Sequence, residues 1–527
     1  MLQPVSPMTE NDASLYDQVF YPGHAYDQTH PDRLATLAAL YGMEPAPLAG
    51  CRMLELGCGV GGNLVPMASQ WPESTFIGID LSARSIEKGR ENVAALGLAN
   101  LDLRHGDIMQ LPADLGRFDY IVAHGVYSWV PAPVREKILD IFAAMLNPQG
   151  VGYISYNAYP GSHLRNLARD IMHHHVRELD DSREKVLQSR AILKALFDAS
   201  TQNELYGVIL RDQFERVRKM PDEVLYHDDL NPITTPFLVT DVVDAAERHG
   251  LQFLSEATFS SSHLGTHPDK VMALLGQIPV HEVMAREQYL DFAIGRGFRE
   301  TLLCHADIAL DREIGPARVK RFHVGAYVKQ AEGEADPSAP GVATYNTERG
   351  RTITTDHRLS KAALLHLGSC WPGTVAFAEL VERALERLSG DAARVRANLD
   401  EEVEALTITL FRAYAGGQVE LHRNPPRLTT SISARPQACA VARRQAQSGS
   451  LVTNLRHGSV YMEDEVTRRF LLLVDGTRSV DDLVTDLAAA LTREPPRVPE
   501  GEAAPEVTRA TVERNLRLLA TLGLLVA

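Results

Sequence analysis

Apolar and polar positions follow two successive regimes along the chain. From Arg52 a short apolar run ends in glycines, a helical stretch follows, and a second apolar run over residues 75–79 ends at Asp80. Short apolar runs closed by glycine or aspartate read as strands, so these pieces form a βαβ unit. The alternation continues through residues 101–104 and 120–123, and after a helical stretch over 134–146 it reaches 152–156. Strands alternating with helices predict a parallel, doubly wound sheet. After about residue 165 the period becomes helical, as in residues 164–179 and 184–197, with few strand signals. Residues 226–236, aromatic, acidic and proline-bearing, interrupt it, and 239–248 reads as a helix stopped by Gly250.

Residues 332–342, rich in Glu, Gly, Pro and Ala, read as a linker or loop tip, and a helical period over 361–414 is closed by Asn424-Pro425-Pro426. The tail from residue 452 orders a strand-like 459–462, helices near 463–473 and 480–491, a polar 494–505, a helix over 508–522 and an apolar 524–527. Short helices with a closing strand suggest a winged-helix-like module. The fold class is therefore α/β, a Rossmann-like domain followed by a mainly helical middle and a winged-helix-like end. The expected boundaries are residues 1–165, 166–330, 343–435 and 436–527.

Bulk properties narrow the function. A chain of 527 residues exceeds what one hydrophobic core organises. A net charge of -15 argues against a large non-specific nucleic-acid surface. The tail could invite a DNA reading, but Arg468, Arg469 and Arg478 are offset by Glu463, Asp464, Glu465, Asp475, Asp481 and Asp482. Cys51, Cys58, Cys304, Cys370 and Cys439 form no CxxC pair, which fits a reducing compartment and excludes a local zinc knuckle. The start of the chain lacks a basic segment followed by an apolar run, and no apolar stretch approaches bilayer length. A cytoplasmic protein without membrane insertion is expected.

The stretch from Met53 to Asn63 sets glycines directly after a strand and before a helix. Glycine is needed where backbone approaches a ligand or turns through unusual dihedrals. The GxGxxG at Gly57, Gly59 and Gly62 would serve NAD equally well. Glu55 changes the picture, because an acid at the strand end suits a cofactor with a cationic amine and sulfonium better than a pyrophosphate. Asp80 ends the next strand, where a carboxylate can accept from both ribose hydroxyls. Gly106-Asp107-Ile108 follows the third strand, where a carboxylate can accept from an adenine amino group, and Phe118-Asp119-Tyr120 opens the fourth.

This ordered run resembles the class I S-adenosylmethionine-dependent methyltransferases, down to the Leu146-Asn147-Pro148-Gln149-Gly150 turn before strand five. Cofactor contacts are expected from Glu55, Gly57, Cys58, Gly59, Gly62 and Asn63, from Asp80, Leu81, Asp107 and Ile108, and from His124. Cys58 has no base beside it and reads as a small buried residue, not a nucleophile. Outside the core the chain is similar to bacterial protein-lysine methyltransferases carrying a methyltransferase regulatory domain. The similar segments are Tyr16 to Pro22 and Thr29 to Leu34, then Gly125 to Pro131 and Tyr156 to Gly161. Beyond the core they are Tyr226 to Asp229, Phe298 to Cys304, Asn454 to Gly458 and Val474 to Arg478. The resemblance implies methylation of a lysine ε-amine on a protein, with the N-terminal segment folded over the cofactor.

Methyl transfer is an in-line displacement, so the enzyme mainly positions the nucleophile. A lysine must lose its proton first, and an apolar, aromatic-walled channel favours that by desolvating the ammonium. Tyr127, Trp129, Tyr156 and Tyr159 lie on loops at the carboxyl edge of the sheet and are the channel candidates, with Asn157 orienting the amine. The same residues also suit a hydrophobic lid and a capped turn. Thr29 reads as a helix cap, while His30 and Asp32 beside it could close over the cofactor; His227 with Asp228 and Asp229 could reach the active site from the second domain, but a turn with its own hydrogen bonds is the favoured reading. His173, His174 and His175 point to different sides of a helix, so no metal is expected. Two other functions stay open: a small-molecule methyltransferase, and a non-catalytic S-adenosylmethionine sensor with a partner-binding tail. The helical surfaces would permit a homodimer.

Overall fold

The structure is a computed structural model. It describes residues 19, 21, 23–201, 203–263, 267–333, 336–348, 350–388, 392–496 and 506–526. Parts of the N-terminal motif (16–18, 20, 22), of the loop tip (334–335) and of the polar tail stretch (497–505), and residue 527, lie outside the described residues.

Seven strands form one sheet: β1 (Arg52–Leu56), β2 (Thr75–Asp80), β3 (Leu101–His105), β4 (Phe118–Ala123), β5 (Leu146–Asn157), β6 (Leu251–Glu256) and β7 (Phe298–His305). Their order is β3-β2-β1-β4-β5-β7-β6. The first five run parallel, as the alternation predicts. The sheet is nevertheless mixed, because β7 runs antiparallel to β5 and β6 antiparallel to β7. This corrects both the all-parallel expectation and the boundary at residue 165, since two strands come from the region read as helical. Both are mostly buried along their length. A short segment covered on both faces carries no period-two alternation to separate it from a buried helical turn.

A buried ionic cluster fastens these two strands. Arg299 on β7 is fully buried and pairs with Glu256 of β6 at 2.8 Å, and with Glu287 and Asp291 of helix Val283–Ile294 at 2.9 and 2.7 Å. Glu256 also accepts from the Glu300 amide and the Thr301 hydroxyl.

Helices Ser162–Val176, Ser182–Ala199 and Leu205–Lys219 pack around their own core of Ala168, Met172, Leu193, Phe214 and Val217. The middle of the chain has the expected helices, Arg358–Cys370, Phe377–Arg387 and Leu399–Ala415. It also holds two three-stranded antiparallel sheets whose strands, two to five residues long, are too short to show a period. The C-terminal unit sets helices Ala440–Ala446, Glu465–Leu473, Val480–Arg493 and Arg509–Thr521 around a hairpin of Leu451–Thr453 and Ser459–Tyr461. Among the described residues no helix is long and apolar enough to cross a membrane.

Replacing Arg299 with Met leaves Glu256, Glu287 and Asp291 buried without their cation. Stability is expected to fall by about 3–5 kcal/mol, read from the urea midpoint, and a midpoint equal to the parent's would show that the cluster does not hold the two strands.

Candidate active site

The glycine loop after β1 has Gly57, Gly59 and Gly61 at positive φ, which L side chains resist. Their surroundings differ. A Cβ on Gly57 would strike Val126, whereas one on Gly59 would meet nothing within 4 Å, so Gly59 borders open space. The Gly59 amide donates to Asp80 Oδ2 at 2.7 Å and the Ser82 amide to Oδ1 at 2.8 Å. These bonds fix the Asp80 carboxylate beside the loop. Leu81 follows, half-buried. Asp107 is exposed and caps the short turn Ile108–Gln110 through the Met109 amide, while Ile108 packs on the core.

Glu55 is 4% exposed, and its Oε1 accepts from Asn63 at 2.9 Å while Oε2 has no partner. Burial, against the hydrogen bond from Asn63, pushes its carboxyl up to about 8. A buried unpaired carboxyl oxygen at this sheet edge fits a ligand ammonium, as the sequence suggests.

Gly62 and Asn63, expected to contact the cofactor, also hold other parts of the chain together. A Cβ on Gly62 would lie 2.5 Å from the backbone of Gly23, so the glycine is there because the N-terminal strap packs on it. The Asn63 amide nitrogen donates to Glu55 and to Thr29 Oγ1 at 2.9 Å. Its Oδ1 accepts from the Tyr26 amide at 3.1 Å and from His457 Nε2 at 2.8 Å. One side chain therefore ties β1, the strap and the C-terminal hairpin together. Cys58 is also turned inward, with Sγ where a Cβ on Gly78 would be, and burial raises its thiol well above the ordinary range.

The strap roofs the site. The Tyr26 ring lies 4.1 Å from that of His124, whose Nδ1 is 2.9 Å from the Tyr153 hydroxyl. Burial lowers His124 and His30 to about 4, and His457 well below its usual value. All three imidazoles are neutral near pH 7. His30, not Thr29, caps helix Pro31–Leu40, accepting from the Asp32 amide, while Thr29 bonds to Asn63 and to the Tyr26 carbonyl.

The acceptor candidates divide. Tyr127 and Tyr156 do not line a channel. Both are buried and pack against Phe237 in the sheet core, and the Tyr156 hydroxyl bonds to Thr301. Trp129, Asn157 and Tyr159 stay at the sheet edge. Tyr159 is half-buried and stacks on His163 at 4.3 Å. Asn157 is buried, with Oδ1 3.4 Å from Arg165 Nη1, and both its Nδ2 and Arg165 Nη2 are without partners. The Trp129 indole N–H points at the Asp228 carbonyl at 3.4 Å. Sequence reasoning thus misses Tyr26, Arg165 and His457, and sets Asp228 aside in favour of a turn; for His457 the only signal was membership of the Asn454 to Gly458 segment. A separate cleft of about 650 Å³ lies behind the strap, between Glu300, Trp371, Tyr414 and Arg456, and reaches neither Glu55 nor Asp80.

Three family models match the chain in order. They are a methyltransferase domain over residues 53–150, a predicted methyltransferase regulatory domain over 221–305 and a PKMT C-terminal winged helix domain over 434–522. The uncharacterized protein RP789 of Rickettsia prowazekii (strain Madrid E) is 31% identical over 457 residues, 85% of this chain and 81% of that protein. RP028 of the same organism is 35% identical over 240 residues, 45% of this chain and 96% of that protein. In three dimensions the chain is similar to PKMT2 from Rickettsia typhi in complex with AdoHcy, with a TM-score of 0.85 and 26% identity, covering 96% of this chain and 100% of that one.

Glu55 gives binding a pH dependence of known sign. A carboxyl raised to about 8 is protonated at pH 6 and must ionise to receive an ammonium. Affinity for S-adenosylmethionine is therefore expected to rise by up to about tenfold per pH unit from pH 6 toward pH 8 and to level off above about pH 8.5, with release of a proton detectable by calorimetry in buffers of different ionisation heat. Glu55→Gln should flatten the profile; a flat profile in the parent would remove Glu55 from the binding reaction.

Proposed function

Because the chain belongs to the S-adenosylmethionine-dependent methyltransferases that join a methyltransferase domain to a regulatory domain and a PKMT winged helix, we propose that it methylates the ε-amine of lysine on a protein. The observation that carries the cofactor half is the seat itself: a fixed Asp80 carboxylate, an open backbone at Gly59 and an unpaired buried oxygen on Glu55. The lysine half is supported by the C-terminal module and by likeness to PKMT2 over nearly the whole chain.

Asp80 would accept from the ribose hydroxyls, Glu55 would face the amino group, and Asp107 with Ile108 would border the adenine. Bound there, S-adenosylmethionine supplies an electrophilic methyl group whose bond to sulfur breaks with the electron pair left on sulfur. His30, His124 and His457, held neutral by burial, add no positive charge against a sulfonium. Trp129 and Tyr159 would flank the acceptor. Apolar walls lower the cost of losing an ammonium proton, and an aromatic face can hold a methylammonium product. The five free thiols suit a reducing compartment, and we place the enzyme in the cytoplasm.

The test is to incubate the purified protein with methyl-labelled S-adenosylmethionine and soluble cell protein, then to hydrolyse and identify labelled amino acids. Label in ε-N-methyllysine is expected. Asp80→Ala, which removes a charged acceptor of hydrogen bonds, should weaken cofactor binding roughly tenfold or more. Label confined to small molecules would replace the lysine acceptor, and tight binding without any labelled product would leave a sensor.

A further inference from the structure

The helical turn Leu225–Asp229, of the wide π type, brings two adjacent carboxylates to the acceptor side of the sheet. Such turns often mark functional sites, because the wider ring redirects side chains that a regular helix would point elsewhere. The two acids are treated differently. Asp229 is fully buried and takes Arg165 Nε at 2.8 Å and Arg216 Nη1 at 2.9 Å. Burial works against its charge, yet the two guanidiniums hold it below the usual carboxylate range. Asp228 is held by its backbone carbonyl, which accepts from Arg169 at 2.9 Å. Among the described residues its carboxylate accepts no hydrogen bond and is only half-buried by its neighbours, so it retains an open side.

The charges of both Glu55 and Asp228 bear on the Tyr26 hydroxyl. Trp129 closes on the turn from the loop after β4, and Arg165 links it to Asn157 and its unpaired Nδ2. We propose that the Asp228 carboxylate receives the acceptor amine as its ammonium ion and takes up the proton that must leave before methyl transfer. This rests on the lysine-acceptor reading above.

The charges around it suit that sequence. Arg165 and Arg169 of helix Ser162–Val176 and Arg216 of helix Leu205–Lys219 stand against Asp228 and Asp229, three cations to two anions. Tyr21 and Tyr26 of the strap and the neutral His227 complete the surroundings. The surplus positive charge disfavours a persistent ammonium. Burial, against the pull of Arg165, raises Asp228 to about 6, making it a stronger base than an ordinary aspartate while it remains ionised at pH 7. The proton passes from nitrogen to the carboxylate. The amine lone pair then forms the N–C bond as the C–S bond breaks with its electrons on sulfur, and the carboxylic acid returns its proton to water after the methylammonium departs.

The test uses a degenerate pentapeptide library with lysine fixed at the centre, a matching norleucine library, and the parent, Asp228→Asn and Asp228→Glu full-length proteins. Asp228→Asn should lower transfer to lysine at least tenfold at pH 7, recover to within about threefold of the parent at pH 10, where roughly a third of lysine arrives unprotonated, and bind S-adenosylmethionine as the parent does. With S-adenosylhomocysteine present, it should bind the lysine library at least tenfold more weakly at pH 7 and the norleucine library unchanged. Asp228→Glu should regain part of both losses. A loss equal at pH 7 and pH 10, or parental transfer by Asp228→Asn, would overturn the proposal while leaving lysine methylation standing. Absence of methyllysine from the parent, with both the library and cell protein, would remove the lysine reading and this proposal together.

Discussion

One buried carboxamide governs the cofactor end of the sheet. Asn63 offers two donors and an oxygen with two lone pairs, and the protein uses both sides: Glu55 and Thr29 receive, the Tyr26 amide and His457 give. An aspartate in the same place would lose both donations and set a second carboxylate against Glu55. The arrangement also fixes the His457 tautomer, since Nε2 must carry the proton, leaving Nδ1 as a buried acceptor without a partner. Residue 457 adopts φ 61°, a left-handed conformation uncommon outside glycine, to bring that ring inward. The strain is local, and what it secures is contact between the two ends of the chain across the cofactor loop.

A second theme is control of charge through burial. Glu55 is raised, and His30, His124 and His457 are lowered, so near neutrality these four groups add little charge beside the Asp80 carboxylate. A ligand carrying an ammonium and a sulfonium then meets one carboxyl able to ionise and three rings unable to repel it. Arg299 follows the opposite rule. Its charge is fully buried and surrounded by acids, which is costly alone but specific in geometry, and it ties β7 to β6 and to helix Val283–Ile294.

The legible parts of this molecule were those whose chemistry is local in sequence. Glu55, the glycines, Asp80 and Asp107 sit at strand ends, so their position follows from recognising the strands. The five parallel strands were legible for the same reason. Tyr127 was misplaced because a loop residue next to a strand end can face either layer, and only the packing of Phe237, over a hundred positions along, draws it into the core. His457 was not legible as a site residue, and Asp228 was legible only as one of two readings, since their contacts run across the fold to Asn63 and to Trp129. Gly62 carried the correct signal with the wrong reason: a close backbone approach was required, but the approaching backbone is Gly23.

These contacts change how the added domains should be understood. A methyltransferase sheet ending near residue 165 would lack β6 and β7, and its Asn63 would lose the His457 donor. The turn bearing Asp228 would be absent altogether. The regulatory and winged-helix segments therefore contact the methyltransferase sheet at Trp129 and at Asn63. Any movement of the C-terminal hairpin away from Asn63 acts on the strap and on Glu55 at once, since all three share one side chain. Coupling of this kind needs no long pathway: a protein surface that engages the C-terminal domain is two hydrogen bonds away from the group that receives the cofactor.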